Sequence, residues 1–313
     1  MKAAFKAAFF MNSISQKISL DLPNGIELFI KREDLLHPII SGNKFRKLKY
    51  NIEEAKKSGN NTLLTFGGAF SNHILAVAGA GAEFGFKTIG VIRGEELASK
   101  VNENPTLLKA KELGMDFYFV SRSVYQEKES ESFVIELKDR FGDFYLIPEG
   151  GTNKFAIKGC KEILTEEDKQ VFSYVACAVG TGGTFSGLIN SSDEKQQLIG
   201  FSSLKGAFLS DVIRNFAEKT NWIINDDYHF GGYGKVTDEL IHFLNNFYNQ
   251  TAIPLDPVYT GKMVFGILEM IKNGYFDPKS KILIIHTGGL QGIKGMNFAL
   301  RKKNKEIIRY DKD

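Results

Sequence analysis

Two kinds of feature in this chain could do chemistry: an amine placed at a turn, and glycine turns shaped to receive an anion. The amine lies in "SGNKFRKLKYN" (41–51), which gathers Lys44, Arg46, Lys47 and Lys49. Lys44 follows the turn-favouring pair Gly42-Asn43, whereas the other three fall inside a helical run. That sets Lys44 apart as a candidate nucleophile or base. A lysine in such a role must be neutral when it acts, so its pKa has to fall from about 10.4 through burial or neighbouring charge. Arg46 and Lys47 are expected to help lower it. Lys47 and Lys49 are themselves expected on a solvated helix face, because charged helix residues are seldom buried.

The strongest glycine turn is "VGTGGTFSG", from Val179 to Gly187, directly after an apolar run. Glycines there let the backbone approach an anion, and the helix that follows offers free N–H groups and the positive end of its dipole. Thr181 and Thr184 add hydroxyls. A dinucleotide fingerprint would need glycine where Phe185 stands, and a P-loop would need Gly-Lys-Ser/Thr where Gly187-Leu188-Ile189 stands. The competing reading is a tight strand-to-helix turn whose glycines serve packing. The second turn is "TFGGAFSNHILA". Ser71 and Asn72 at a helix start can hold a carboxylate or phenolate-type oxygen; equally, Ser71 can simply cap the helix. His73 is the weakest of the three, since a lone histidine is more often structural. His37, His229, His242 and His286 form no metal-binding pattern, no GxSxG elbow occurs, and Glu149 in "PEGG" is either a local acid or a turn residue. No metal is expected.

The elements that must position these residues alternate between short apolar runs and longer amphipathic ones, the signature of α/β architecture. Residues 26–33 read as a strand. Residues 44–59 read as a helix with Phe45, Leu48, Ile52 and Ala55 on one stripe. "NTLLTFGG", "KTIGVIRG" and "DFYFV" read as strands separated by helices, three β–α steps between about 60 and 120. "FYLIPEGG", "YVACAVG" and "SKILIIHTGG" are further strands running into glycines. The stretch 191–250 is polar and mixed, with the cluster "YHFGGYGK". Two α/β lobes with a cleft between them follow, the ligand lying at the carboxyl ends of the strands.

Bulk properties narrow the class. The chain has 313 residues, 43% apolar and 25% charged, with a formal charge of +3. That charge is too small to argue for nucleic acid or an anionic membrane as partner. Cys160 and Cys177 form no CxxC, so neither a disulfide scaffold nor a zinc knuckle is supported, and the cytoplasm is expected. "MKAAFKAAFFMNS" reads as an amphipathic tail, since Lys6 interrupts what would be a signal-peptide core.

Taken in order, "KREDLL", "SGNKFRKLKYNIEEA", "TFGGAFSNH", "IPEGGTN", "VGTGGTFSGL", "DPVYTGKMVFGI" and "IIHTGG" resemble the D-cysteine desulfhydrase/1-aminocyclopropane-1-carboxylate deaminase family. That family belongs to the fold type II, tryptophan-synthase-β-like enzymes that use pyridoxal 5'-phosphate. The resemblance runs from about residue 18 to 295. It implies two lobes of open parallel sheet with flanking helices, a large cofactor domain from 1–50 and 151–313, and a small α/β domain from 51–150. It also implies a homodimer. Lys44, in the turn with Asn43, would carry the cofactor and shuttle the α-proton. Gly180, Thr181, Gly182, Gly183 and Thr184 would cup its phosphate, and Asn72 would bond the ring hydroxyl oxygen. Ser71 would face the substrate carboxylate or act as acid/base. Phe70, Asn72 and His73 would also lie at the substrate, whose side Tyr233 and Tyr259 would line. Thr260 or Thr287 would face the pyridine nitrogen.

Both threonines are neutral, so the ring nitrogen is expected to stay unprotonated. That favours α,β-elimination from a small D-cysteine-like amino acid, yielding pyruvate, ammonia and sulfide. Deamination of 1-aminocyclopropane-1-carboxylate is the alternative, and a cofactor-binding protein with little catalysis is a further one. Two positions depart from the family pattern: Phe70 replaces glutamine and Leu75 replaces arginine. Both leave the substrate open.

Overall fold

The computed structural model describes residues 12–205 and 209–310; the amphipathic reading of the first residues falls on 1–11, outside them. Ten strands are described: β1 (Ser15–Lys17), β2 (Glu27–Lys31), β3 (Thr62–Gly67), β4 (Lys87–Arg93), β5 (Met115–Val120), β6 (Tyr145–Ile147), β7 (Tyr174–Val179), β8 (Gln197–Ser202), β9 (Trp222–Asn225) and β10 (Lys281–Ile285). One sheet has the order β1-β2-β10-β7-β8-β9 and the other β5-β4-β3-β6. All neighbours are parallel except β1, which lies antiparallel on the edge with Ser15 opposite Lys31. Strands buried on both faces need no polar alternation, which is why "YVACAV" and "KILII" read as unbroken apolar runs.

Helices cover both faces of each sheet. On the six-stranded sheet, helices Asp238–Thr251 and Thr260–Lys272 bury Leu240, Leu244, Met263 and Ile267 on one side. Helix Gly183–Ser191 buries Phe185 and Leu188 on the other. On the four-stranded sheet, helices Asn43–Lys57, Asn72–Phe84 and Pro105–Glu112 share a cluster built on Leu48, Ile52, Ile74 and Leu107. Helix Glu131–Phe141 closes the opposite face with Phe133 and Leu137. The mixed stretch 191–250 holds β8, β9 and the helix Asp238–Thr251. Its charges and asparagines hide two strands whose apolar sides are paired inside the sheet.

Strand order places the site. In the smaller sheet β4 and β5 lie on one side of β3, and β6 lies on the other. In the larger, β8 and β9 lie on one side of β7, and β10 lies on the other. The order reverses at β3 and at β7, and ligands in open parallel sheets bind where it does. The loops leaving those two strands are "GAFSN" and "GTGG", the two glycine turns of the sequence.

The basic run departs from expectation. Helix 43–57 buries its apolar stripe as read, but its other face packs on helix Lys154–Cys160. The approach is close enough that a Cβ on Gly159 would sit 2.0 Å from the Arg46 carbonyl oxygen. Arg46, Lys47 and Lys49 are therefore buried, not solvated. Arg46 donates twice to Glu33, each at 2.9 Å, and Lys49 pairs with Glu162 at 2.7 Å. Buried charges of this kind persist only when paired.

Candidate active site

Gly42 begins the site. It has φ +63° and ψ −142°, and a Cβ there would lie 2.0 Å from the Thr287 carbonyl oxygen. Only glycine lets the chain pass this close to the end of β10. The Asn43 N–H then donates to the Thr287 carbonyl at 3.2 Å, docking the start of helix 43–57 on the larger sheet. Asn43 fixes its own amide by donating to Thr184 Oγ1 at 2.8 Å and accepting from Lys44 Nζ at 3.0 Å. Lys44 thus presents its amine to a pocket whose empty space, open mouth included, is about 650 Å3. Burial first, and the Lys47 charge second, lower the Lys44 pKa to about 7.

Lys47, one helical turn away, also reaches this pocket. Its ammonium donates to the Gly150 carbonyl at 2.8 Å, Thr152 Oγ1 at 3.1 Å and Thr181 Oγ1 at 3.4 Å. Burial lowers its pKa as well. Beside it lies the cup formed by Gly180, Thr181, Gly182 and Thr184. The helix Gly183–Ser191 starts from Gly182, in a left-handed conformation and with no side-chain cap, so its first N–H groups face the pocket without a side-chain partner. A Cβ on Gly183 would lie 2.7 Å from Thr152 Oγ1, and one on Gly180 would lie 3.1 Å from the Tyr259 ring. An uncapped helix start, two threonine hydroxyls and an ammonium make a donor set for a multiply charged anion.

On the opposite wall, Ser71 caps helix 72–84 by accepting from the His73 and Ile74 N–H groups at 3.2 and 3.4 Å. It does so while lining the pocket beside Asn72 and His73. Gln291 donates to Asn72 Oδ1, and among the described residues the Asn72 amide N–H2 has no acceptor. His73 is buried; because Thr65 gives its own proton to the Ile147 carbonyl at 2.8 Å, His73 Nε2 donates to Thr65 Oγ1 at 2.9 Å. Burial, then the Lys44 and Lys47 charges, push its pKa well below the ordinary value, so the ring is neutral.

Tyr259 and Tyr233 form the remaining wall, their rings edge-to-face at 6.0 Å. Burial raises both phenol pKa values, Tyr259 well above the usual, so both remain proton donors. Tyr259 is set by Asp256, whose carboxylate accepts from the Val258, Tyr259 and Thr260 N–H groups at 2.7–2.9 Å and from Thr260 Oγ1 at 2.7 Å. Beneath the Thr287-Gly288 turn, His286 Nε2 bonds the Pro254 carbonyl at 2.7 Å, tying the two loops together.

The pocket thus gathers most of the residues singled out in the sequence, with five exceptions. Thr260 is fully buried and bonded to Asp256; of the two threonines, only Thr287 lines the pocket. Gly183 stands behind the cup against Thr152. Phe70 is 53% exposed and packs on Gly295, outside the lining. Leu75 is buried in the apolar cluster of helix 72–84. Glu149 accepts from Tyr125 at 2.8 Å and pairs with Lys128 at 3.4 Å. Thr152, Asp256 and Gln291 went unread, and Lys47 was read only as a solvated charge that lowers the Lys44 pKa. The spacing of Lys47 to Lys44 on one helix carried a signal, outweighed by its resemblance to a surface charge. Thr152, Asp256 and Gln291 join the site only through tertiary contacts.

The family model described as pyridoxal-phosphate dependent enzyme matches residues 18–288. A Pyrococcus abyssi protein, named provisionally for 1-aminocyclopropane-1-carboxylate deaminase, is 32% identical over 88% of this chain and 88% of its own. The mitochondrial bifunctional D-cysteine desulfhydrase/1-aminocyclopropane-1-carboxylate deaminase of Arabidopsis thaliana is 31% identical, covering 87% of this chain and 74% of its own. A crystallised homologue of 1-aminocyclopropane-1-carboxylate deaminase superposes with a TM-score of 0.77 at 30% identity, over 92% of this chain and 94% of that one. With an amine and an anion cup converging at two sheet switch points, the chain belongs to the pyridoxal-phosphate-dependent enzymes, in the family of 1-aminocyclopropane-1-carboxylate deaminase and D-cysteine desulfhydrase.

Proposed function

We propose that this enzyme carries out α,β-elimination on a small amino acid of the D-cysteine type, converting it with water to pyruvate, ammonia and hydrogen sulfide. The residues present fit pyridoxal 5'-phosphate: the uncapped start of helix 183–191, the Thr181 and Thr184 hydroxyls and the Lys47 ammonium form a donor set suited to a phosphate dianion. When bound, the cofactor supplies an electron sink that makes the substrate α-proton acidic. Lys44 would hold it, and its Nζ would accept the substrate α-proton; a pKa lowered to about 7 suits that role near neutrality. Lys47 and the 183–191 helix start would hold the phosphate, and the Asn72 amide would be a donor toward the ring. Ser71 faces the substrate carboxylate. Tyr233 and Tyr259, both kept protonated by burial, wall the side where the thiolate departs.

The observation that carries elimination is Thr287, a neutral group, at the pocket wall. The nearby carboxylate, Asp256, is occupied by backbone donors. Ring opening of 1-aminocyclopropane-1-carboxylate is the second reading, favoured by relatives that bear that name. Purified protein assayed with D-cysteine should release sulfide and pyruvate, and Lys44→Ala should lose both turnover and the yellow cofactor colour. Release of α-ketobutyrate from 1-aminocyclopropane-1-carboxylate without sulfide from D-cysteine would establish the second reading instead. The family likeness also leads us to expect a cytoplasmic homodimer with domains at 1–50 plus 151–313 and 51–150, the dimer testable by light scattering.

A further inference from the structure

Tyr233 sits on a loop whose backbone makes few hydrogen bonds of its own. Phe230 has φ +51°, and Gly231, Gly232 and Gly234 have φ +89°, +106° and +66°. Four such residues within five positions leave the chain no regular ladder. The loop's own bonds are few: the Gly232 N–H donates to the His229 carbonyl at 3.0 Å, and the Lys235 N–H to the Gly232 carbonyl at 3.2 Å. The Gly231 N–H donates to His229 Nδ1 at 2.9 Å. Gly234 has open space around it.

Phe265 packs against the Phe230 and Tyr228 rings of this loop, and a second side chain of the same helix bonds its backbone. Lys262, in the first turn of helix 260–272, is 1% exposed. Its Nζ donates to the His229 and Gly232 carbonyls, both at 2.8 Å. Those two carbonyls are the ones that the loop's own N–H groups also use, so the ammonium clasps both ends of the turn that precedes Tyr233. Lys262 makes no ion pair among the described residues. Asp256 is the carboxylate whose charge reaches it, and that group serves the Tyr259 turn. His229 and Lys235 are on the loop itself, and Lys205 packs beside Gly232. Helix 238–251 faces the 260–272 helix with Leu240 and Leu244, and the sheet does so with Ala176, Ala178 and Phe201. A long cation kept in this apolar setting with two backbone acceptors is placed for what it holds.

What it holds is the register between two tyrosines. Tyr259 lies three residues before Lys262, anchored by Asp256, and Tyr233 lies one residue after the carbonyl that Lys262 grips. We propose that Lys262 is a positioning residue: it seats the 228–235 loop so that Tyr233 meets Tyr259 and completes the substrate-side wall. The consequence for catalysis rests on the elimination reading above; the seating of the loop does not.

The test therefore uses two independent readouts on the holoenzyme. Hydrogen exchange followed by mass spectrometry should show protection of 229–235 about tenfold lower in Lys262→Met, as expected for loss of buried hydrogen bonds. Peptides from β7 and β10, and the cofactor absorbance, should stay as in the wild type. Lys262→Gln, which keeps an N–H2 donor, should restore part of the protection. With D-cysteine, Lys262→Met should raise KM while kcat changes less, and its effect should not add to that of Tyr233→Phe. Unchanged protection of 229–235 in Lys262→Met would overturn the proposal whatever the substrate proves to be. Additive kinetic effects would overturn its link to Tyr233. Should Lys262→Met not fold, the same two readouts on Lys262→Gln decide, with an intermediate loss expected and wild-type protection refuting it.

Discussion

Lys44 and Lys47 share a helix face and a pocket, and each shapes what the other can do. Burial and the Lys47 charge lower the Lys44 pKa to about 7, so a substantial share of the amine is neutral and nucleophilic near pH 7, where an ordinary lysine is almost wholly protonated. Because the neutral form attacks, the rate at which apoenzyme takes up pyridoxal phosphate should rise as pH increases through about 7 and level off above pH 8. Stopped-flow growth of the cofactor absorbance measures this, and a rate still climbing at pH 9 would contradict it. Lys47→Met removes a charge that disfavours the Lys44 ammonium, so the midpoint should move upward in pH. The same change removes a charge-assisted donor from the anion cup, and cofactor affinity should fall about 10- to 100-fold. A purely structural Lys47 would leave the pH midpoint where it was.

Each functional side chain is aimed by the end of an element. Helix 43–57 starts where Gly42 crosses β10, helix 72–84 where Ser71 caps it, and helix 183–191 where Gly182 turns left-handed. Gly42 is the least replaceable of these. A Cβ there meets the Thr287 backbone at 2.0 Å, and the residue already holds a positive φ. Gly42→Ala should cost on the order of 3 kcal/mol, from clash and backbone strain together; urea unfolding measures it, and a loss below about 1 kcal/mol would mean the turn can relax. Such element ends were legible in the sequence because turn chemistry is local: glycines and Ser71 announced the loops, and apolar periodicity announced β3, β7 and β10. Burial of Arg46, Lys47 and Lys49 was not legible, because it depends on the 154–160 helix, about a hundred residues downstream. The strands β8 and β9 escaped for a related reason. Their apolar sides are short runs among polar residues, and only pairing with β7 reveals them.

At the scale of the whole molecule, two contacts join elements of the smaller sheet to the helix Gly292–Arg301 beside the larger one. Gln291 donates to Asn72 and accepts from Thr106 Oγ1 at 2.9 Å, bridging the starts of helices 72–84 and 105–112. Phe70 packs its ring on Gly295, where a Cβ would lie 2.7 Å away. Phe70 thus reads as a contact between the two sheets' elements rather than a group offered to substrate. Its replacement by glutamine should leave the ranking of substrates unchanged. Gln291 is the more consequential partner, because it reaches the pocket through Asn72. Gln291→Leu leaves Asn72 Oδ1 and the Thr106 hydroxyl without that partner, for an expected loss of about 1–3 kcal/mol. It also frees the Asn72 amide to rotate, so the absorbance maximum of the bound cofactor should shift or broaden while Lys44 still holds it. Urea unfolding and the visible spectrum of the same sample separate the two effects. A variant destabilised but spectrally unchanged would show that Gln291 only joins the elements, and that Asn72 keeps its orientation without help.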